Sequence, residues 1–74
     1  MPDRSPWEDK ARGLIRSEMT RRNVSYAELV AKLKEIGVSD EEKNVANKIS
    51  RGKFTAAFML ECLEALGVQS LSLD

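Results

Sequence analysis

The side chains able to do chemistry in this 74-residue chain are few. Histidine is absent, so the commonest general base at neutral pH is missing. The one thiol, Cys62, has only carboxylates and lysines to activate it, and it lies in an apolar run where it reads as a small core hydrophobe. With no histidine and one cysteine, neither a four-ligand zinc site nor an internal disulfide can be built within the chain. The four glycines, at 13, 37, 52 and 67, are too scattered to form a phosphate-cradling loop. These absences argue against an enzyme and predict no cofactor and no metal. What remains is recognition chemistry. Asn44, Asn47 and Arg51 share one helical face, flanked by Lys43 and Lys48, and Lys53 follows closely. Asparagine can pair with an adenine edge and arginine with a guanine edge, while lysine neutralises phosphate.

Charge distribution favours the same segment. Twelve basic side chains balance twelve acidic ones, but the stretch from Lys43 to Lys53 contains no acid. Lys10, Arg12, Arg16, Arg21 and Arg22 accumulate against Glu18, and residues 54–74 contain no basic side chain. A basic face with acidic regions elsewhere fits a nucleic-acid footprint. A solvated charged face would account for the same charges, and a sequence pI near 6.3 is low for a DNA-binding domain.

Four helices must position these residues. Ser5-Pro6-Trp7-Glu8 reads as a capping box with proline in the first turn, opening a helix over about 6–22. Its apolar stripe is Trp7, Ala11, Leu14, Ile15 and Met19, and Asn23 closes it with Val24 folding back onto Met19. Ser25-Tyr26-Ala27-Glu28 opens a second helix over 26–36, carrying Leu29, Val30, Leu33 and Ile36 and stopped by Gly37. Ser39-Asp40-Glu41-Glu42 opens a third, 40–51, in the same way, turning Val45, Ala46 and Ile49 inward and ending at Gly52. Thr55 caps a fourth, 56–66, stapled by Phe54 to Met59 and stopped by Gly67. No stretch alternates with the period of a strand. The expectation is therefore an all-α, compact four-helix domain spanning residues 1–74, with a short tail over 68–74. No apolar run approaches the roughly 20 residues that cross a bilayer, and no apolar stretch follows Met1-Pro2-Asp3-Arg4. The location expected is cytoplasmic, without membrane attachment.

The second helix, its turn, the third helix ending in Ile49-Ser50-Arg51-Gly52, then Phe54, Leu60, Leu63 and Leu66-Gly67-Val68, resemble the Cro and phage-repressor type of helix-turn-helix domain. The likeness covers residues 25–68, and the first helix fits with an arginine at 12 or 16. The chain is also similar to short bacterial proteins, of a domain of unknown function, with a Trp…Tyr-Ala-Glu-Leu…Asn-Lys-Ile…Arg-Gly-Lys-Phe pattern. The first resemblance implies a lambda-repressor-like fold and a transcription regulator binding double-stranded DNA through the third helix. Asn44, Asn47 and Arg51 would then face bases, with Lys43, Lys48 and Lys53 on phosphates and Arg21 and Arg22 on the backbone from the side. Two departures stand out. The span from Glu28 to Gly52 is longer than the family's, and Asp40-Glu41-Glu42 sits where a recognition helix approaches phosphates. Those acids also complement the helix dipole.

The fourth helix is apolar over a wide arc, which calls for cover by the tail or by a second subunit. Phe58, Met59, Cys62, Leu71 and Leu73 are the residues expected at such an interface, in a homodimer through this helix and the tail. The competing expectation is a helix-turn-helix-derived protein–protein interaction module that binds no DNA. Glu18, inside the first helix's apolar stripe, must be paired if buried. Arg22 or a basic side chain of the third helix is its expected partner, locking the first helix in place.

Overall fold

The computed structural model describes residues 5–73. Four helices follow in order, α1 (Pro6–Arg21), α2 (Tyr26–Glu35), α3 (Glu42–Arg51) and α4 (Ala56–Ala65), and no strand occurs among the described residues. None of these helices is long and apolar enough to cross a membrane. The starts of α1 and α2 are chemically alike. The Glu8 amide donates to Ser5 Oγ at 3.2 Å and the Ser5 amide to Glu8 Oε1 at 2.8 Å. Ser25 and Glu28 repeat the exchange at 3.2 and 2.9 Å, and the Ser25 hydrogen bonds hold the Glu28 carboxyl below its ordinary value. Thr55 Oγ1 accepts from the Phe58 amide at 3.0 Å and opens α4. Each cap satisfies donors that the first turn of a helix leaves open.

Three helices end in one hydrogen-bond pattern. After α1, the Asn23 amide donates to the Thr20 carbonyl and Val24 to Met19. After α2, Gly37 donates to Lys34 and Val38 to Leu33; after α4, Gly67 donates to Glu64 and Val68 to Leu63. The reversing residue has positive φ in all three, and the valine behind it packs against the core. Asn23 is the one described non-glycine residue to adopt that backbone, at φ 55°, a conformation its short polar side chain tolerates.

The start of α3 departs from the sequence expectation. Residue 40 is not helical, and neither Ser39 nor Glu41, which occupies the cap position, supplies a side-chain hydrogen bond to the first turn. Asp40 instead faces along the helix. It accepts from Lys48 Nζ at 2.8 Å, the Glu41 amide at 2.8 Å and Asn44 Nδ2 at 3.4 Å. The other helices end or begin within one residue of the expected bounds, with Arg22, Ile36 and Leu66 as caps.

Ile15, Leu29, Leu33, Val45, Ile49 and Cys62 are fully buried, so every helix contributes to one core. Trp7 was expected in the inward stripe but is 78% exposed. The inward direction at the first turn belongs to Glu8, whose backbone rests on Gly52; one residue earlier, the side chain points about 100° away. Glu18 is buried and pairs with Arg22, with Arg21 Nη1 at 3.8 Å. Both partners lie at the C-terminal end of α1, Arg21 as its last residue and Arg22 as its cap, so this pair neutralises a buried carboxylate without tying α1 to α3.

Gly52 ends α3 with φ 70°, and a Cβ there would fall on the Glu8 carbonyl oxygen and lie 2.9 Å from its carbon. Gly67 has a similar φ of 79° but open space around it. Gly67→Ala should therefore cost only the left-handed backbone penalty of about 1–2 kcal/mol. Gly52→Ala should cost clearly more, because two backbones must also separate. Thermal melts of the two variants compare these costs, and equal losses would show that α1 does not bear on Gly52.

Candidate nucleic-acid interface

With α3 held at one end by Asp40 and at the other by Gly52, its outward face is Asn44, Asn47, Lys48 and Arg51, all exposed. Together with Lys53 they line one shallow depression of about 250 Å³ with no described carboxylate in its walls. Asn44, Asn47 and Arg51 stand at i, i+3 and i+7, a single row along the helix. At 1.5 Å of rise per residue the row spans about 10 Å, close to three base-pair steps. Lys53 and Lys48 also border a neighbouring depression of about 410 Å³ whose walls include Glu8, Phe54 and Phe58.

The cations are not equivalent. Lys48 is held on two sides, by Asp40 and by the Phe58 ring, whose centroid lies 4.8 Å from Nζ. Its charge is thus partly spent on the fold. No described carboxylate forms an ion pair with Lys43, Arg51 or Lys53. Lys43 is exposed on α3 but does not line the depression. Arg21 and Arg22 lie at the far end of α1 from Glu8, engaged with Glu18, and do not line it either. Of the two arginines offered by the sequence for α1, Arg16 sits over the Tyr26 ring at 5.8 Å and Arg12 is half-buried.

Asp40 was the residue that sequence reasoning missed, because it was assigned to the first turn of α3 together with Glu41 and Glu42. Its spacing to Asn44 and Lys48, four and eight residues on, was the available signal. The Lys48 ammonium, and then the Glu41 amide, hold its carboxyl below the ordinary 3.8. The face of α3 is consequently graded, with Asp40, Glu41 and Glu42 at one end and Arg51 and Lys53 at the other.

The residues expected at a partner interface are placed otherwise. Phe58 and Cys62 belong to the core, Cys62 wholly and Phe58 all but the ring edge that walls the depression beside Lys48, since the wide apolar arc of α4 is consumed mostly by α2 and α1. Met59 and Leu71 are half-buried, and Leu73 is 60% exposed. The large apolar side chain that α4 does present is Leu60, at 66% exposure. Burial, and secondarily the nearby Glu61 charge, push the Cys62 thiol up to about 12. Among the described residues no group of three or more His, Cys, Asp and Glu is arranged to hold a metal ion.

Two outcomes follow. A thiol-alkylating reagent at pH 8 should leave Cys62 unmodified in the folded protein and react fully in denaturant; rapid native modification would contradict its burial. Asp40→Asn should destabilise the protein at pH 7 by about 0.5–1 kcal/mol, as for a partly exposed pair. A carboxyl lowered by folding contributes stability above its unfolded pKa and loses it as pH falls through the folded one. Denaturant midpoints of variant and parent should therefore converge as pH drops from about 4 toward 2, and a constant gap would contradict the pairing.

A family model described as Domain of unknown function (DUF6471) matches residues 7–71. No curated protein and no solved structure matches the chain.

Proposed function

Since the chain belongs to the DUF6471 family, whose description assigns no activity, we propose its function from its own surface: a helix-turn-helix regulator that binds double-stranded DNA through α3. One observation carries the reading. Asn44, Asn47, Arg51 and Lys53 open side by side into a depression with no described carboxylate in its wall, on a helix that follows α2 and packs against it. In this arrangement Asn47 and Arg51 face base edges, and Lys53 and Lys43 meet phosphates. Lys48 contributes less than its position in the sequence suggests, because Asp40 competes for it. The acidic start of α3 stays outside the groove, and the approach is made by the second half of the helix. Such a protein acts in the cytoplasm of a bacterium. The repressor-like sequence pattern from Ile49 to Val68 supports the same architecture.

Fluorescence anisotropy with a labelled duplex of mixed sequence tests this at about 50 and 200 mM salt, since even a specific regulator keeps a counterion-driven affinity for any duplex. With about four phosphates neutralised, affinity should fall on the order of a hundredfold over that range. Arg51→Ala should weaken binding, and Lys53→Ala should reduce the salt slope by about one. Asp40→Asn should have the opposite sign and tighten binding, because it removes an anion and releases Lys48. Absence of binding at the lower salt would overturn the reading and leave the protein-interaction module, for which exposed Leu60 and Leu73 are the supporting observation.

A further inference from the structure

Four large apolar side chains are strongly exposed among the described residues, Trp7, Ile36, Leu60 and Leu73, and two of them, Trp7 and Leu60, mark two surfaces of opposite charge. The first surface is a groove of about 460 Å³ between α4 and the chain that follows it, with Leu60, Leu63, Val68 and Leu71 as its apolar walls and Glu64 at its edge. Residues 54–74 hold no lysine or arginine, and neither Glu64 nor Glu61, one turn earlier on α4 and outside the lining of the groove, forms an ion pair with a described cation. The second surface is the outer flank of α1. Trp7, Lys10, Leu14 and Arg21 fall within an arc of about 60° at helical periodicity. Trp7, Leu14 and Arg21 succeed one another every seven residues, so they form a nearly straight row. Leu14 is half-buried and takes no part in the core cluster. Arg21 lies 3.8 Å from Glu18, which Arg22 holds more closely, and Lys10 forms no ion pair with a described carboxylate.

We propose that the groove along α4 docks the outer flank of α1 from a second copy of this chain, with Trp7 as the apolar anchor and Lys10 and Arg21 facing the Glu64 side of the groove. Each surface supplies what the other lacks, an apolar row edged with cations against an apolar groove edged with the Glu64 carboxylate. An indole seated in such a groove is the type of contact that dominates interface energy. In a two-fold pair every copy gives one flank and receives one, so the contact is made twice and the assembly closes at two chains. The interface leaves Phe58 and Cys62 in their own core and does not use the face of α3. It stands independently of the DNA-binding reading.

The test uses the full chain and its single tryptophan. Between about 1 and 200 µM, analytical ultracentrifugation should show the mass rise from one chain to two, a range suited to micromolar association. Trp7 emission should shift to the blue over the same concentrations as the indole leaves water. Trp7→Ala and Leu60→Lys change exposed positions, and each should raise the dimer dissociation constant at least about tenfold while leaving the helical signal intact. A mixture of those two variants keeps one undamaged flank and one undamaged groove, so it should form heterodimers more readily than either variant self-associates. A parent protein that stays monomeric throughout would overturn the proposal. So would a dimer that Leu60→Lys breaks and Trp7→Ala does not, because that pattern sets α4 against α4. A dimer that neither variant affects would overturn it as well.

Discussion

The contact on which the rest of the molecule depends is the seating of the first turn of α1 on Gly52. A left-handed residue without a Cβ both stops α3 and lets the Glu8 carbonyl approach closer than any side chain would allow. That approach fixes where the chain turns after Arg51, and so where Lys53 and Phe54 stand. Phe54 then meets Phe58 with ring centroids 5.5 Å apart, and Phe58 in turn receives Lys48. It also turns Trp7 away from the core. One glycine thus links the placement of the α3 cations to the exposure of the only indole.

A second constraint works from the other end of α3. Asp40 reaches along the helix to Asn44 and Lys48 and gives α3 an anchored side as well as an anchored terminus. The consequence is electrostatic as much as structural. A chain with no net charge presents a local gradient, acidic where α3 begins and basic where it ends. Local fields rather than net charge govern what a surface attracts. The same separation operates on a larger scale, with cations gathered on α1 and α3 and none after Lys53.

Much of the fold was legible because it is locally encoded. The serine–glutamate boxes at Ser5 and Ser25, the Thr55 cap and the reversals at Asn23, Gly37 and Gly67 are each decided within a few residues, and each was read correctly from spacing. The features that escaped depend on what lies across the core. Ser39 to Glu42 has the letters of a capping box, yet Asp40 is drawn to Lys48 and the helix begins later. Periodicity placed Trp7 in the inward stripe, but only the position of Gly52 decides that Glu8 takes that direction. The breadth of the apolar arc on α4 was evident, whereas its division was not. Phe58 and Cys62 go to the core and Leu60 to solvent, a choice made by how α1 and α2 cover the helix. The row of Asn44, Asn47 and Arg51 was legible because it needs only one regular helix.

The central claim is one of location, that the second half of α3 is the surface that meets nucleic acid. Amide chemical shifts of the labelled protein, followed while a short mixed-sequence duplex is added at low salt, test it residue by residue. The account predicts that the amides of Asn47, Ser50, Arg51 and Lys53 move together and saturate, while those of Leu60 to Leu71 stay in place. Shifts confined to α4 and the chain beyond it, or none at all, would contradict it.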